Sequence, residues 1–144
     1  MATLILDTSG ILAAFDEDDP VHRMVSEVLS DPRHTLVLSP FIVAESDYML
    51  AKRLGAEAAL KFSEYVSAGV FDLATWTGDD HQAAHEIISR SKIDRDYVGV
   101  ADASLVVLAD AYRTTTLVTK DVRHFRELKP IWGADHFTLY PADL

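Results

Sequence analysis

The stretch TLILDTSG at residues 3–10 is a short apolar run closed by polar turn formers, the pattern of a buried strand that ends in a polar turn. Two further stretches repeat it, TLVLSP at residues 35–40 and TLVTKD at residues 116–121. Shorter candidates are VFDLA at residues 70–74 and FTLY at residues 137–140. Between them the pattern turns helical. Val21, Met24, Val25, Val28 and Leu29 recur at helical spacing after Asp19-Pro20, an N-cap followed by Pro at the first helical position. Helices are expected from Phe41 to Arg53 and from Ala56 to Ala68, stopped by Gly55 and Gly69, and from an Asp79 or Asp80 cap to about Ser91. The segment from Val98 to Arg113 is apolar on nearly all faces, which calls for a helix inside the domain. Short buried strands alternating with helices predict a mostly parallel sheet covered on both faces, a three-layer α/β/α sandwich.

At 144 residues the chain fits one domain, residues 1–144. Hydrophobic residues are 49% and charged residues 25% of the total, ordinary globular usage that excludes disordered and fibrous classes. No cysteine is present, so disulfides, thiol catalysis and Cys-ligated zinc are excluded. The first residues lack the basic and long apolar regions of a signal peptide, and no apolar run is long enough to span a bilayer, so a cytoplasmic, membrane-free protein is expected.

Asp7 follows the first strand directly and Asp121 follows the TLVT strand by two residues, which places both at the carboxyl rim where open parallel sheets bind ligands. Glu45 has Phe41, Ile42, Tyr48 and Met49 as its helical neighbours; Asp102 has Val98, Gly99, Leu105 and Val106. Both are therefore expected to face inward without a basic partner. An unpaired buried carboxylate costs several kcal/mol unless it is protonated, accepts hydrogen bonds or meets a cation. Acids from distant segments at one rim favour the cation, and oxygen ligands favour Mg²⁺, with Mn²⁺ as a substitute. The chemistry that follows is metal-assisted hydrolysis. Thr8, Ser9 and Thr119 stand beside the rim acids and either orient water or phosphate or cap turns.

Other motifs are missing. His81 and His85 have zinc-helix spacing, but Gln82 stands where the Glu of H-E-x-x-H belongs, and a solvated helix face explains them better. No phosphate-cradling glycine loop and no G-x-S-x-G elbow occurs.

LDTSGILAAFDEDDPVH (6–22), SPFIVAESDYML (39–50) and YVGVADASLVVLADAYRTTTLVTKDVRHF (97–125) together resemble the PIN-domain ribonucleases, in particular the VapC toxins of toxin–antitoxin pairs. The four acids occur in family order: Asp7 in LDTS, Glu45 in P-x-x-x-x-E, Asp102 in the apolar helix, Asp121 in T-x-D-x-x-H-F. The resemblance implies a metal-dependent endoribonuclease with these acids around Mg²⁺ or Mn²⁺. It also implies a homodimer, a cognate antitoxin, and structured RNA such as tRNA or rRNA as substrate. The antitoxin is expected to bring an Arg or Lys to the acidic rim, because guanidinium matches carboxylate geometry. Two alternatives remain. One is a PIN-like module that binds RNA or a partner without cleaving. The other is a receiver-type phosphoacceptor, which shares an acidic rim and a Thr beside a Lys, here Thr119 and Lys120, but places paired acids after its first strand.

The net charge of −10 argues against nucleic acid until its distribution is considered. Residues 1–47 carry nine acids against Arg23 and Arg33, whereas residues 111–130 carry Arg113, Lys120, Arg123, Arg126 and Lys129 against Asp121 and Glu127. Lys120, Arg123 and Arg126, beside Asp121, are the expected contacts to an RNA backbone.

Overall fold

A computed structural model describes residues 2–91 and 97–144. Its centre is a sheet of five parallel strands: β1 (Ala2–Leu6), β2 (His34–Leu38), β3 (Asp72–Leu73), β4 (Thr116–Val118) and β5 (Thr138–Tyr140), in the order β3-β2-β1-β4-β5. Leu4, Ile5, Val37, Leu38, Leu117, Val118 and Leu139 are fully or almost fully buried. That two-sided burial is what continuous apolar runs in a parallel sheet require. The receiver reading is overturned here, since a receiver sheet runs 2-1-3-4-5.

Among the described residues seven helices connect the strands: α1 (Thr8–Phe15), α2 (His22–Ser30), α3 (Pro40–Leu54), α4 (Ala56–Ser67), α5 (Gly78–Arg90), α6 (Val100–Ala111) and α7 (Val122–Glu127). Helices α1 to α4 pack on one another and α5 pairs with α6. Right-handed crossovers on this strand order assign those two sets to opposite faces of the sheet. Helix α6 runs through the domain with Ala103 to Ala109 all buried, as its all-round apolar pattern requires. No helix among the described residues is long and apolar enough to cross a membrane.

Several local expectations need correction. Residues 8–15 form helix α1 instead of a turn, with Asp7 as its N-cap. Its helix signal is masked by Gly10, whose position is dictated by packing: a Cβ there would lie 2.8 Å from the Val118 carbonyl oxygen. Helix α2 starts at His22, two residues late, because Asp19 uses its side chain in a turn onto the Val21 amide. Thr77, not Asp79 or Asp80, caps α5, in a reciprocal capping box with Asp80. Strand β3 is only Asp72–Leu73, both exposed at the sheet edge.

Candidate active site

Strand order reverses between β1 and β4, and the crevice at their carboxyl ends is where an open α/β sheet binds ligands. Asp7 leaves β1 there and Thr119-Lys120-Asp121 leaves β4 there. The two segments are stitched together. Thr119 Oγ1 donates to Asp7 Oδ2 at 2.7 Å, Ser9 Oγ donates to the same oxygen at 3.1 Å, and Thr8 N donates to Oδ1 at 2.8 Å. Ser9 Oγ in turn accepts from Lys120 N at 2.8 Å, and Thr119 Oγ1 accepts from Asp121 N at 3.0 Å. The hydroxyls expected only to orient water or cap turns thus fix the position of one acid and the backbone carrying another.

Asp7 is buried, at 6% exposure, and all its partners are neutral. Burial raises its pKa and the nearby Glu45 charge adds to the rise, while the Thr119, Thr8 and Ser9 hydrogen bonds act the other way. Asp102, in the first turn of α6, is pushed up to about 6 by burial and then by the Asp7 charge, with Glu45 and Asp121 adding to the rise and His124 opposing it. Asp121 is exposed and caps α7 through the His124 amide at 3.3 Å. Three of the four acids therefore stand at the first turns of α1, α6 and α7, where the helix dipole favours negative charge. Capping and clustering are the same arrangement in this protein.

Two expectations for the acids fail. Glu45 is exposed: the buried face of α3 is Ile42, Ser46 and Leu50, and Glu45 lies one position off that stripe. It reaches the cluster from the rim and acts on Asp7 and Asp102 through its charge. Asp102 does have a basic neighbour, because His124 Nε2 lies 3.2 Å from its Oδ2, an ion-pair distance without hydrogen-bond alignment. The signal for His124 was its spacing, three residues after Asp121, which brings it to the same turn of α7.

The basic residues divide. Lys120 pairs with Asp19, and both line a cleft of about 390 Å³ with Ser9, Asp16, Arg53 and Asp121. Arg123 is exposed and lines a second cleft of about 370 Å³. Arg126, expected to meet the RNA backbone, is instead engaged within the fold: its guanidinium donates to the Phe137 carbonyl and pairs with Asp143, holding down the C-terminal segment. His81 faces Trp76 Nε1 at 3.3 Å and His85 faces the Ser89 hydroxyl, with no third ligand nearby among the described residues.

Among the described residues, no three His, Asp or Glu side chains are close enough to form a ready-made ligand group. A buried all-oxygen acid with neutral partners, beside a second acid whose pKa is raised by the first, is a donor set lacking only positive charge.

The model for the PIN domain matches residues 4–129, and the chain belongs to the PIN-domain family. Within it the chain is homologous to VapC ribonuclease toxins: it is 42% identical to Ribonuclease VapC26 of Mycobacterium tuberculosis over 96% of this chain and all of that protein. Among solved structures it resembles the sarcin–ricin-loop-cleaving toxin VapC20 of M. tuberculosis, with TM-score 0.73, 19% identity, and coverage of 83% of this chain and 90% of that one. It also resembles VapBC2 of Rickettsia felis, solved bound to a promoter DNA fragment, with TM-score 0.66, 17% identity, and coverage of 96% and 97%.

Proposed function

We propose that the protein is a divalent-metal-dependent endoribonuclease acting as the toxin of a type II toxin–antitoxin pair on structured RNA such as tRNA or rRNA. The observation that carries this reading is the convergence of Asp7 and Asp102, acids 95 positions apart in sequence, in one crevice, where burial raises both and the Asp7 charge adds to the cost of ionising Asp102. Of Asp7, Asp102, Asp121 and Glu45, one or two carboxylates would ligate Mg²⁺, or Mn²⁺ in its place, and the others would act on it through its waters. A bound ion of this kind supplies an acidified water and offsets charge developing on the phosphate. The chain's own contribution is rigidity and placement. Thr119, Ser9 and the Thr8 amide fix the Asp7 carboxylate, His124 offsets charge at Asp102, and Lys120 and Arg123, on the two sides of Asp121, receive the RNA backbone.

A cognate antitoxin that places an Arg or Lys at this rim would neutralise the same acids, and the VapBC complexes among the structural relatives make an antitoxin the expected partner. A homodimer in the cytoplasm is the working assembly of this proposal. The test is incubation with total RNA in Mg²⁺, Mn²⁺ or EDTA, comparing the wild type with Asp7→Asn and Asp102→Asn. Cleavage that survives EDTA or both substitutions rejects the site, and no cleavage of any RNA favours the binding-only module.

A further inference from the structure

The second cleft, of about 370 Å³, is lined by Tyr97, Asp102, Asp121, Arg123, His124 and Glu127. Asp102, Asp121 and His124 belong to the acidic centre just described; Tyr97, Arg123 and Glu127 have no part in it. Tyr97 is 68% exposed, so its ring face is open to a ligand. Arg123 and Glu127 are one turn apart on α7 and both exposed, and among the described residues neither is engaged in an ion pair or side-chain hydrogen bond. The cleft is within the size range of small-molecule sites, ~300–1,000 Å³. An open aromatic ring, an arginine and a carboxylate, one cleft wall away from the acids, are the parts with which proteins hold an unstacked RNA base.

We propose that this cleft is a nucleobase subsite adjoining the scissile phosphate and that it selects guanine. Tyr97 stacks on the base, Glu127 accepts hydrogen bonds from it, and Arg123 holds the neighbouring phosphate. The choice of base follows from the carboxylate. Its two oxygens match two adjacent donors, and only guanine offers such a pair, the N1–H and the N2 amine. Adenine and cytosine present one amine beside an acceptor nitrogen, and uracil presents one N–H between two carbonyls, so each sets an acceptor against Glu127. This subsite rests on the RNA-cleaving reading but is testable apart from it.

The probes are five pentaribonucleotides that differ only in the central base: guanine, inosine's hypoxanthine, adenine, cytosine and uracil. Binding is measured in Mg²⁺ with the Asp7→Asn protein, and cleavage with the wild type. Guanine is expected to bind about tenfold more tightly than hypoxanthine, which lacks only the N2 amine, because a hydrogen bond to a charged group is lost. In the Asp7→Asn background, Glu127→Ala should reduce that ratio to about one. Tyr97→Ala should weaken all five about equally, by roughly tenfold, and Tyr97→Phe should restore them. Equal binding of guanine and hypoxanthine, or a ratio that Glu127→Ala leaves unchanged, overturns the subsite. Guanine selectivity in binding without cleavage of any RNA by the wild type would reject the nuclease and keep the subsite; cleavage with no base preference would do the reverse.

Discussion

The Thr119 hydroxyl donates to the Asp7 carboxylate across 2.7 Å, joining residues 112 positions apart at the point where the sheet reverses its strand order. One methyl-for-hydroxyl exchange separates what that contact does from what the Thr shape does. Thr119→Val leaves Asp7 with one donor fewer and the Asp121 amide without its acceptor. RNA cleavage should fall by about tenfold to a hundredfold in kcat/KM, with stability lowered by about 1–3 kcal/mol. Since the lost hydrogen bond had been lowering the Asp7 pKa, the variant should also need more Mg²⁺ for half-maximal activity. Metal titrations of the two proteins check this, and an unchanged Mg²⁺ requirement would remove Thr119 from the site.

The acid pair fixes a pH signature. Folded-state pKa values above the unfolded ones mean that the native protein binds more protons, so stability falls as pH rises. For Asp102 that fall spans the window from the ordinary carboxylate value to about 6, and Asp7 moves in the same direction. The metal-free protein should therefore melt at a higher temperature at pH 5 than at pH 7. Saturating Mg²⁺ should raise Tm more at pH 7 than at pH 5, where protons compete for the same oxygens. Acids with lowered values, Asp19, Asp31 and Asp143, lose their contributions only below about pH 4 and leave this window clear. Thermal melts at the two pH values decide it.

Gly10 brings α1 close to the sheet at Val118. A Cβ there meets the Val118 carbonyl oxygen at 2.8 Å and Val118 Cγ1 at 2.9 Å. Gly10→Ala should destabilise the fold by about 1–3 kcal/mol despite the better helix propensity of Ala. Urea unfolding gives the value, and a gain in stability would mean that α1 sits further from β4.

The three basic residues beside Asp121 should separate in one salt experiment. Lys120→Ala and Arg123→Ala should each make cleavage less sensitive to salt, reducing the slope of log(kcat/KM) against log[salt] by about 0.7. Losing the partly exposed Lys120–Asp19 pair should change stability by less than about 1 kcal/mol. Arg126→Ala should do the opposite, lowering Tm through loss of the Phe137 and Asp143 contacts while leaving the slope alone.

The strands and buried helices were legible in the sequence because period and apolarity are local. TLIL, TLVL and TLVT read as strands from their own composition, and α6 read as interior from its lack of a polar face. Helix α1 was not legible, because Gly10 answers to Val118, a residue 108 positions away, and opposes local propensity. The acids were legible as a set, since strand ends and helix starts converge at one rim. The orientation of Glu45 was not: one residue separates it from the buried Ser46, a difference of 100° around the helix that neighbour patterns resolve poorly. Tyr97 and Glu127 gave no signal, because an exposed aromatic and a surface acid mean nothing until a cleft joins them.

Thr119 is held in line by more than Asp7, since its amide donates to the Tyr140 carbonyl at the far edge of the sheet. The acidic rim at the middle of the sheet is thereby anchored to its edge strand, so a disturbance that loosens β5 reaches the Asp7 carboxylate through a single threonine.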